Sequence, residues 1–221
     1  FTIIIDYYKD SASQNGVVRN KLKEYKGKLY VLSSHSHHDH YNPEILTWKQ
    51  THPDITYIFS KDIQDNKMAI NTDVVFLDKL DVYIDDLLDI KAYGSTDLGI
   101  SFLIKVKGKT IFHAGDLNNW HWNEESTKEE IEEAESFYFS ELNTLAKDVK
   151  HIALAMFPVD PRLGKDYMKG AEDFISKIKT YIFVPMHFGE AYDKAVAFAE
   201  YAMSKGVKFV AWENKGESIN F

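Results

Sequence analysis

The 221-residue sequence contains no cysteine, only five prolines and no long hydrophobic run. Without cysteine the protein forms no disulfide and offers no thiolate, so any metal ligands must be histidines and carboxylates. The apolar runs are too short to cross a bilayer, and the first residues do not have the pattern of a signal peptide. A cytoplasmic location is consistent with these absences.

Positive charge is also scarce, since 26 Lys and Arg residues face 34 Asp and Glu residues, for a formal net charge of −8. Nonspecific binding to nucleic acid or to an anionic membrane requires a basic surface, which this composition does not favour. We therefore expect neither a nucleic acid nor a membrane as the partner, and the oligomeric state stays open.

The sequence shows no internal repeat and no linker rich in Pro, Gly or Ser, and 44% of its residues are hydrophobic. Residues 1–221 are therefore predicted to form a single domain with a sizeable core. The chain opens inside an apolar run, "FTIIIDYYKD", without an initiator Met, which is consistent with a missing N-terminal strand or hairpin.

Strand-like runs crowd the first half of the sequence, beginning with "FTIIIDY", "KLYVLSS" and "ITYIFS". The segment "GISFLIKVKGKTIFH" alternates apolar residues with smaller or polar ones and predicts a hairpin that turns at Lys107 and Gly108. Further strands are predicted at "HIALAMFPV", "YIFVPMH" and "VKFVAW".

Helices are predicted mainly in the second half, although "PEILTWKQ" is a helical segment between two early strands. Ser126 and Glu129 form a capping-box pattern ahead of a helix that reaches about Lys147. Two more helices are predicted at "MKGAEDFISKIK" and "DKAVAFAEYAMSKG", the latter ending at Gly206. This order favours an α+β fold with sheets inside and helices outside, rather than a β-barrel or a parallel Rossmann sheet.

The segment "LYVLSSHSHHDHYNPE" places four histidines and an aspartate within six positions after an apolar strand. Alternate residues of an extended segment point the same way, so His35 and His37 can bind one ion while His38 points elsewhere. Asp39 and His40, in the following turn, can face a second ion; two-metal sites place their ions about 3.5–4 Å apart.

Residues 35–40 resemble the H-x-H-x-D-H signature of the metallo-β-lactamase superfamily. The later segments "TIFHAGDL" and "YIFVPMHF" supply residues that resemble the family's bridging aspartate, Asp116, and its last histidine, His187. Together with "FPVDPRLG", these motifs are most similar to the branch that contains the ascorbate-6-phosphate lactonase. The resemblance implies a four-layer αββα sandwich, with the site at the rim where the two sheets meet.

The resemblance also implies one or two divalent metal ions, of which Zn is expected first and Mn or Fe are alternatives. The implied ligands are His35, His37, Asp39, His40, Asp116 and His187, with Asp116 between the ions. Ser95 stands where the family usually has a third histidine for the first ion, and a hydroxyl is a poor zinc ligand, so this ion is expected to bind more weakly. His113 and His121 are candidate substitutes, but His113 is expected rather to support a ligand by a hydrogen bond.

For function, the resemblance implies a hydrolase in which metal-bound hydroxide attacks a lactone, amide or phosphoester, with Asp39 as the catalytic carboxylate. Arg162, Tyr167 and His121 offer groups that could bind a small anionic substrate, although Arg162 could instead tie down its own loop. The alternatives are a nucleic-acid phosphodiesterase of the same superfamily, which usually adds basic surfaces, and a catalytically silent metal-binding protein, because Ser95 weakens one site.

Overall fold

The structure, a computed structural model, describes residues 1–11, 16–69 and 73–221. Its contacts divide the chain into two compact units. The first unit comprises Phe1–Asp78 with Glu213–Phe221, and the second comprises Lys79–Trp212. Among the described helices, none combines the length and the apolar character that a membrane span requires. The prediction of one domain over residues 1–221 concerns how the units combine, and it stays a prediction.

The first unit is built on a four-stranded sheet in the order β1-β2-β3-β4, whose neighbouring strands are all parallel. Its strands are β1 (Thr2–Ile5), β2 (Leu29–Ser33), β3 (Ile55–Ser60) and β4 (Val74–Leu77). The connecting segments contain α1 (Val17–Glu24), a 3₁₀ helix (Pro43–Gln50) and α2 (Lys61–Asp65). The predicted helix at "PEILTWKQ" is thus a 3₁₀ helix, and α1, α2 and β4 are additional to the predicted elements.

Strand β2 explains the position of the histidine cluster. All five of its residues are buried, as expected for a central parallel strand covered on both faces. Leu29 and Val31 pack in a core that also contains Tyr57 and Phe59 of β3. The histidines therefore follow directly from the best anchored strand of this unit, which limits the freedom of their backbone.

The second unit contains a seven-stranded sheet in the order β11-β10-β9-β8-β7-β6-β5. Strands β5 to β8 pair antiparallel, and β8 to β11 pair parallel. The strands are β5 (Val82–Ile84), β6 (Leu88–Gly94), β7 (Ile100–Val106), β8 (Lys109–His113), β9 (His151–Pro158), β10 (Lys179–Met186) and β11 (Lys208–Phe209).

The predicted hairpin is present, with β7 and β8 joined at Lys107 and Gly108. Both turn residues have positive φ, 47° and 74° respectively, as a two-residue type I′ turn requires. Because this turn fixes the register, β8 ends at His113, and the chain then enters the turn that carries Asp116.

Helix α3 (Lys128–Asp148) begins one residue later than predicted, so the N-cap assignment to Ser126 is wrong. The capping box is formed by Thr127, whose hydroxyl accepts from the Glu130 N–H, while the Glu130 carboxylate accepts from the Thr127 N–H. Ser126 is already used by the preceding turn, since its N–H donates to the Trp122 carbonyl. The local sequence offers two similar patterns, and this turn selects between them.

The remaining helices are α4 (Lys169–Lys177), α5 (Tyr192–Ala197) and α6 (Ala199–Ser204). The single helix predicted at "DKAVAFAEYAMSKG" is therefore two short helices that meet at Phe198. After the second helix, Gly206 adopts the left-handed conformation, with φ 75°. A 3₁₀ segment (Pro161–Asp166) precedes α4. Parallel and antiparallel strands with helices confirm the predicted α+β class.

Helix α4 packs on the second unit's sheet through residues spaced three and four apart, Ala171, Phe174 and Ile175, all of which are buried. The Phe174 ring lies 5.4 Å from the Phe112 ring of β8 and 4.5 Å from the Phe157 ring of β9. Burial of one such aromatic side chain contributes about 1.5–3 kcal/mol. This packing fixes the strands from which the functional loops of the second unit emerge.

Candidate metal centre

In the first unit, the histidine loop turns tightly at the end of β2. The His37 carbonyl accepts from the N–H groups of both His40 and Tyr41 at 3.0 Å. The rings of His35 and His37 lie 4.7 Å apart, and one ligand nitrogen of each is within 4.8 Å of the other. His38 points into solvent with its side chain 98% exposed, which agrees with the alternation expected from the sequence.

Asp6, directly after β1, anchors this loop through hydrogen bonds to Ser34 and His40. Its Oδ1 accepts from the Ser34 N–H at 2.7 Å, and its Oδ2 accepts from the Ser34 hydroxyl at 2.6 Å and from His40 Nδ1 at 2.8 Å. The Asp6 side chain is only 8% exposed, so these three contacts are shielded from water. Strands β1 and β2 are parallel neighbours, which is why their ends bring Asp6 and the histidines together.

This network determines which nitrogen of each ring carries the hydrogen. His40 Nδ1 donates to the Asp6 carboxylate, so His40 Nε2 bears the lone pair. Ser34 has one hydroxyl hydrogen, which it donates to Asp6. In the 3.0 Å hydrogen bond between Ser34 Oγ and His35 Nδ1, His35 is therefore the donor. His35 Nε2 therefore also bears the lone pair that a metal requires.

One further contact holds the loop in place from the side of α2. The Asp62 carboxylate of α2 accepts from the Ser36 N–H at 2.8 Å, so the residue between His35 and His37 is fixed from the other side. Asp39 and His40 each present a ligand atom within 4.8 Å of the other. Asp39 is the more accessible of these two, with its side chain 43% exposed against 8% for His40.

In the second unit, Asp116 lies in the turn after β8. Gly115 has φ 53°, and the Leu117 N–H donates to the Ala114 carbonyl at 3.0 Å to close the turn. The Asp116 carbonyl accepts from the Trp120 indole N–H at 2.8 Å. The Asp116 carboxylate is 6% exposed, and the contacts of its turn fix its position within the unit.

His187 faces Asp116 from the end of β10. Its Nε2 is 3.0 Å from Asp116 Oδ1, and its Nδ1 is 2.9 Å from Asp160 Oδ2. Strands β9 and β10 are parallel, with Pro158 opposite Met186, so both strands end at the same edge of the sheet. Burial alone would lower the pKa of His187, but the two carboxylates outweigh it and raise that pKa to about 9. The arrangement strongly favours a cation at this position.

Asp160 connects His187 to Arg162. The Asp160 side chain is 1% exposed, and Arg162 Nε lies 3.0 and 2.9 Å from its two oxygens. Burial tends to raise the pKa of Asp160, yet hydrogen bonds from His187 and Arg162 lower it to about 2. The Arg162 side chain remains 63% exposed, and its Nη2 is 3.2 Å from His187 Nδ1. The predicted substrate clamp thus lies next to a predicted metal ligand.

The other predicted site residues serve their own loops. His113 is buried, and its Nδ1 accepts from the Gly115 N–H at 3.1 Å, a bond within the turn that leads to Asp116; its predicted support of a metal ligand stays a prediction. His121 has both ring nitrogens in hydrogen bonds, one to the Asn123 N–H and one to the Asp166 carbonyl, and Tyr167 donates to the Lys194 carbonyl. Their predicted substrate contacts stay predictions, and this geometry favours a role in holding the loop.

Ser95 lies at the end of β6, buried at 7% exposure, and its hydroxyl accepts from the Asp97 N–H at a long 3.3 Å. Its neighbour Thr96 reaches the metal turn, because the Thr96 hydroxyl accepts from the Asn118 N–H at 2.9 Å and donates to the Asn118 carbonyl. The segment where the family's third histidine was expected is therefore attached to the loop that carries Asp116.

Asp6, Ser34 and Asp160 were not among the residues singled out from the sequence. A signal for two of them exists, because Asp6 follows the run "FTIII" and Asp160 follows "MFPV", each at the end of a strand. Knowing that these strands pair in parallel with the strands before His35 and before His187 would have placed each carboxylate beside a histidine.

The donor chemistry of both units fits a divalent transition metal. The first unit presents imidazole Nε2 atoms fixed by a carboxylate network, and the second presents a carboxylate and an imidazole held by another carboxylate. Imidazole and carboxylate together suit Zn, Mn and Fe, and orienting carboxylates behind the ligands are usual at such sites.

No protein-family model and no curated sequence matches this chain. Among solved structures, a candidate metal-dependent hydrolase of Parabacteroides distasonis has a TM-score of 0.58 and 17% identity, over 86% of this chain and 78% of that one. The metallo-β-lactamase fold protein YhfI of Bacillus subtilis has a TM-score of 0.55 and 14% identity, over 82% of this chain and 74% of that one. At such identities the likeness establishes a common fold.

Proposed function

We propose that this chain, which has the metallo-β-lactamase fold, is a metal-dependent hydrolase of the metallo-β-lactamase superfamily. The observation that carries the proposal is the Asp6 network, which sets His35 and His40 in the tautomer that a metal ligand needs. A buried carboxylate that orients two imidazoles is the arrangement usually found behind histidines that bind a metal ion. The closer resemblance to the lactonase branch stays a prediction.

We further propose that the histidine loop and the second unit's Asp116 and His187 contribute ligands to one centre. The support is the match between the order of these motifs and the superfamily pattern, and the fact that each set is oriented within its own unit. Zn is the expected metal, with Mn or Fe as alternatives, since no thiolate is available.

A bound divalent ion would supply Lewis-acid activation of water and of the substrate oxygen. The chain's own residues supply the remaining steps. Asp39, whose carboxylate is accessible and lies 3.8 Å from His40 Nε2, is suited to accept a proton from water and to deliver it to the leaving group. Asp160 holds both His187 and Arg162 in position through hydrogen bonds.

The substrate class is proposed from charge. The protein carries a net charge of −8, so an anionic substrate needs a local cation, and the exposed guanidinium of Arg162 next to His187 meets that need. A small phosphorylated or carboxylated metabolite with a lactone, amide or phosphoester bond fits this arrangement. Asp160 holds Arg162 in place before the substrate binds, which lowers the entropic cost of the contact.

The test is a hydrolysis panel on the metal-free protein and on protein reconstituted with Zn, Mn or Fe. The panel contains lactones, amides, phosphomonoesters, phosphodiesters and an RNA oligonucleotide. We expect hydrolysis of a small anionic substrate only in the reconstituted protein, and its loss in Asp39→Asn but not in the surface control Asp54→Asn. Metal-independent activity, or activity confined to RNA, would refute the proposal.

A further inference from the structure

Residues 80–87 of the second unit bring large apolar side chains to the surface. The exposed fractions of Leu80, Val82, Ile84 and Leu87 lie between 42% and 68%. Single apolar residues are common on protein surfaces, but four within eight positions are the kind of cluster that marks an interaction site. We refer to these four side chains as the β5 patch.

Strand β5 lies at the end of the seven-stranded sheet, and within the described residues no further strand pairs with its outer edge. The Asp85 N–H donates to the Leu88 carbonyl. Because hydrogen-bonded pairs alternate along an antiparallel ladder, the next bonds to β6 are made by Tyr83. The N–H and C=O groups of Val82 and Ile84 therefore point away from β6, where they can bind an added strand.

Leu80 adds an observation from the backbone. It has φ 74°, a left-handed conformation that bulky residues seldom adopt. Its N–H donates to the Ala92 carbonyl while the Ala92 N–H donates to the Asp81 carbonyl, so two residues lie opposite one in a β-bulge. Glycine is the usual residue at the left-handed position of such a bulge. A half-exposed leucine there costs strain without filling the core, and strain of this kind is concentrated at functional sites.

The charges around the patch indicate what covers it. Residues 80–89 contain four aspartates and no lysine or arginine, and the neighbouring Lys79 and Lys91 already form ion pairs with carboxylates of α3. Antiparallel pairing of β5 with β5 of a second copy, centred on the middle residue, would put Asp81 opposite Asp85, and like charges in that position destabilise a pair. The same charges repel an anionic membrane. A partner with cations beside its apolar residues complements both features of this edge.

We propose that the β5 edge docks an extended segment of a partner protein, whose alternate residues are apolar and whose flanks carry lysine or arginine. The segment adds an eighth strand to the sheet, with its backbone bonded to Val82 and Ile84 and its apolar side chains on the β5 patch. Its cationic flanks lie near the exposed Asp81 and Asp86. This inference is independent of the proposed hydrolase activity, because it uses none of the predicted metal ligands.

The test measures the binding of two fluorescein-labelled peptides to the full chain by fluorescence anisotropy. Both peptides have a central run in which valine and threonine alternate; one carries two lysines at each end, and the other carries two glutamates at each end. We expect the lysine peptide to bind about tenfold more tightly, because its ends face aspartates where the glutamate peptide meets like charge. Equal affinities, or binding of neither peptide, would overturn the proposal.

Variants then locate the binding. Ile84→Lys should abolish binding of the lysine peptide, while the matched control Met203→Lys, which adds the same charge on α6 at a side chain of similar exposure, should change nothing. Asp81→Lys together with Asp86→Lys should reverse the preference, so that the glutamate peptide binds more tightly. A preference that survives these changes, or that is lost equally in Met203→Lys, would refute the assignment.

Leu80→Gly separates binding from folding. Glycine adopts a left-handed conformation without strain, which offsets the contacts that the leucine side chain makes. We expect weaker binding of the lysine peptide with no fall in the free energy of unfolding measured in urea. A loss of stability with unchanged binding would contradict the role assigned to Leu80.

Sedimentation of the native protein without peptide tests the competing occupant, a second copy of the chain. We expect Ile84→Lys to leave the sedimentation coefficient unchanged. A native dimer that Ile84→Lys dissociates would show that a second copy covers the β5 edge, and would overturn the proposal.

Discussion

Asp6→Asn tests the network that orients the histidines. An amide has one oxygen where the carboxylate has two, so it cannot accept from both Ser34 groups and from His40 at once. If the amide NH₂ faces the Ser34 N–H, a buried donor loses its partner. If it faces His40 instead, it donates to Nδ1 and moves the imidazole hydrogen to Nε2, which removes the lone pair meant for the metal.

The magnitude follows from the contacts. At least one hydrogen bond to a charged group is lost, worth about 1.5–3 kcal/mol, and a donor in a position that is only 8% exposed is left without compensation. We expect the free energy of unfolding of the metal-free protein to fall by about 2–4 kcal/mol. Loss of an orienting partner behind a ligand typically lowers metal affinity about 10–100-fold, and the same is expected here.

Urea unfolding of the metal-free protein measures the first effect, and competition with a chromophoric chelator measures the second. The matched control is Asp54→Asn, which removes a carboxylate that is 65% exposed and forms a surface ion pair with Lys28, and which should change neither quantity measurably. If Asp6→Asn retains native stability and native metal affinity, the assignment of tautomers through Asp6 and Ser34 is wrong.

Three further predictions concern other parts of the account. Arg162→Ala should raise KM for an anionic substrate about 10–100-fold, as expected for one lost charge-assisted contact of roughly 1.5–3 kcal/mol, with unchanged metal content by elemental analysis. Metal titration should show two unequal affinities, the weaker one strengthened by Ser95→His and not by Ser95→Ala; two equally tight sites would contradict this. Gly170→Ala should destabilise the protein by about 1–3 kcal/mol in urea unfolding, because its Cβ would lie 2.0 Å from Asn118 Oδ1 and 2.9 Å from the Asn119 backbone nitrogen.

Local chemistry made some of the fold predictable. The hairpin at Lys107 and Gly108 could be foreseen because a two-residue turn fixes its own register. The start of α3 was misplaced by one residue because Ser126 and Thr127 both precede a glutamate by three positions, and only the turn at Trp122 distinguishes them. Helix α1 was missed because only Leu22 of its eight residues is buried, which leaves little apolar periodicity.

The candidate site, too, could be predicted only in part from the sequence. The histidine cluster could be recognised because its members are contiguous after an apolar strand. Asp6 and Asp160 could not, because their roles depend on which strands become neighbours, and the sequence does not state that β1 pairs with β2 or that β9 pairs with β10. His121 was chosen for its proximity in sequence to Asp116, but its ring nitrogens are used within its own loop.

Metal content shows whether the histidine loop and the second unit's Asp116 and His187 supply ligands to one metal centre, as we propose. Elemental analysis should find one or two divalent ions per chain in native protein purified without chelator. His37→Ala and His187→Ala should each lose bound metal. The controls His52→Ala and His151→Ala should keep the native content, because the His52 ring bonds to the Leu22 carbonyl and His151 is exposed at the start of β9. Full native metal content in His187→Ala would contradict the account.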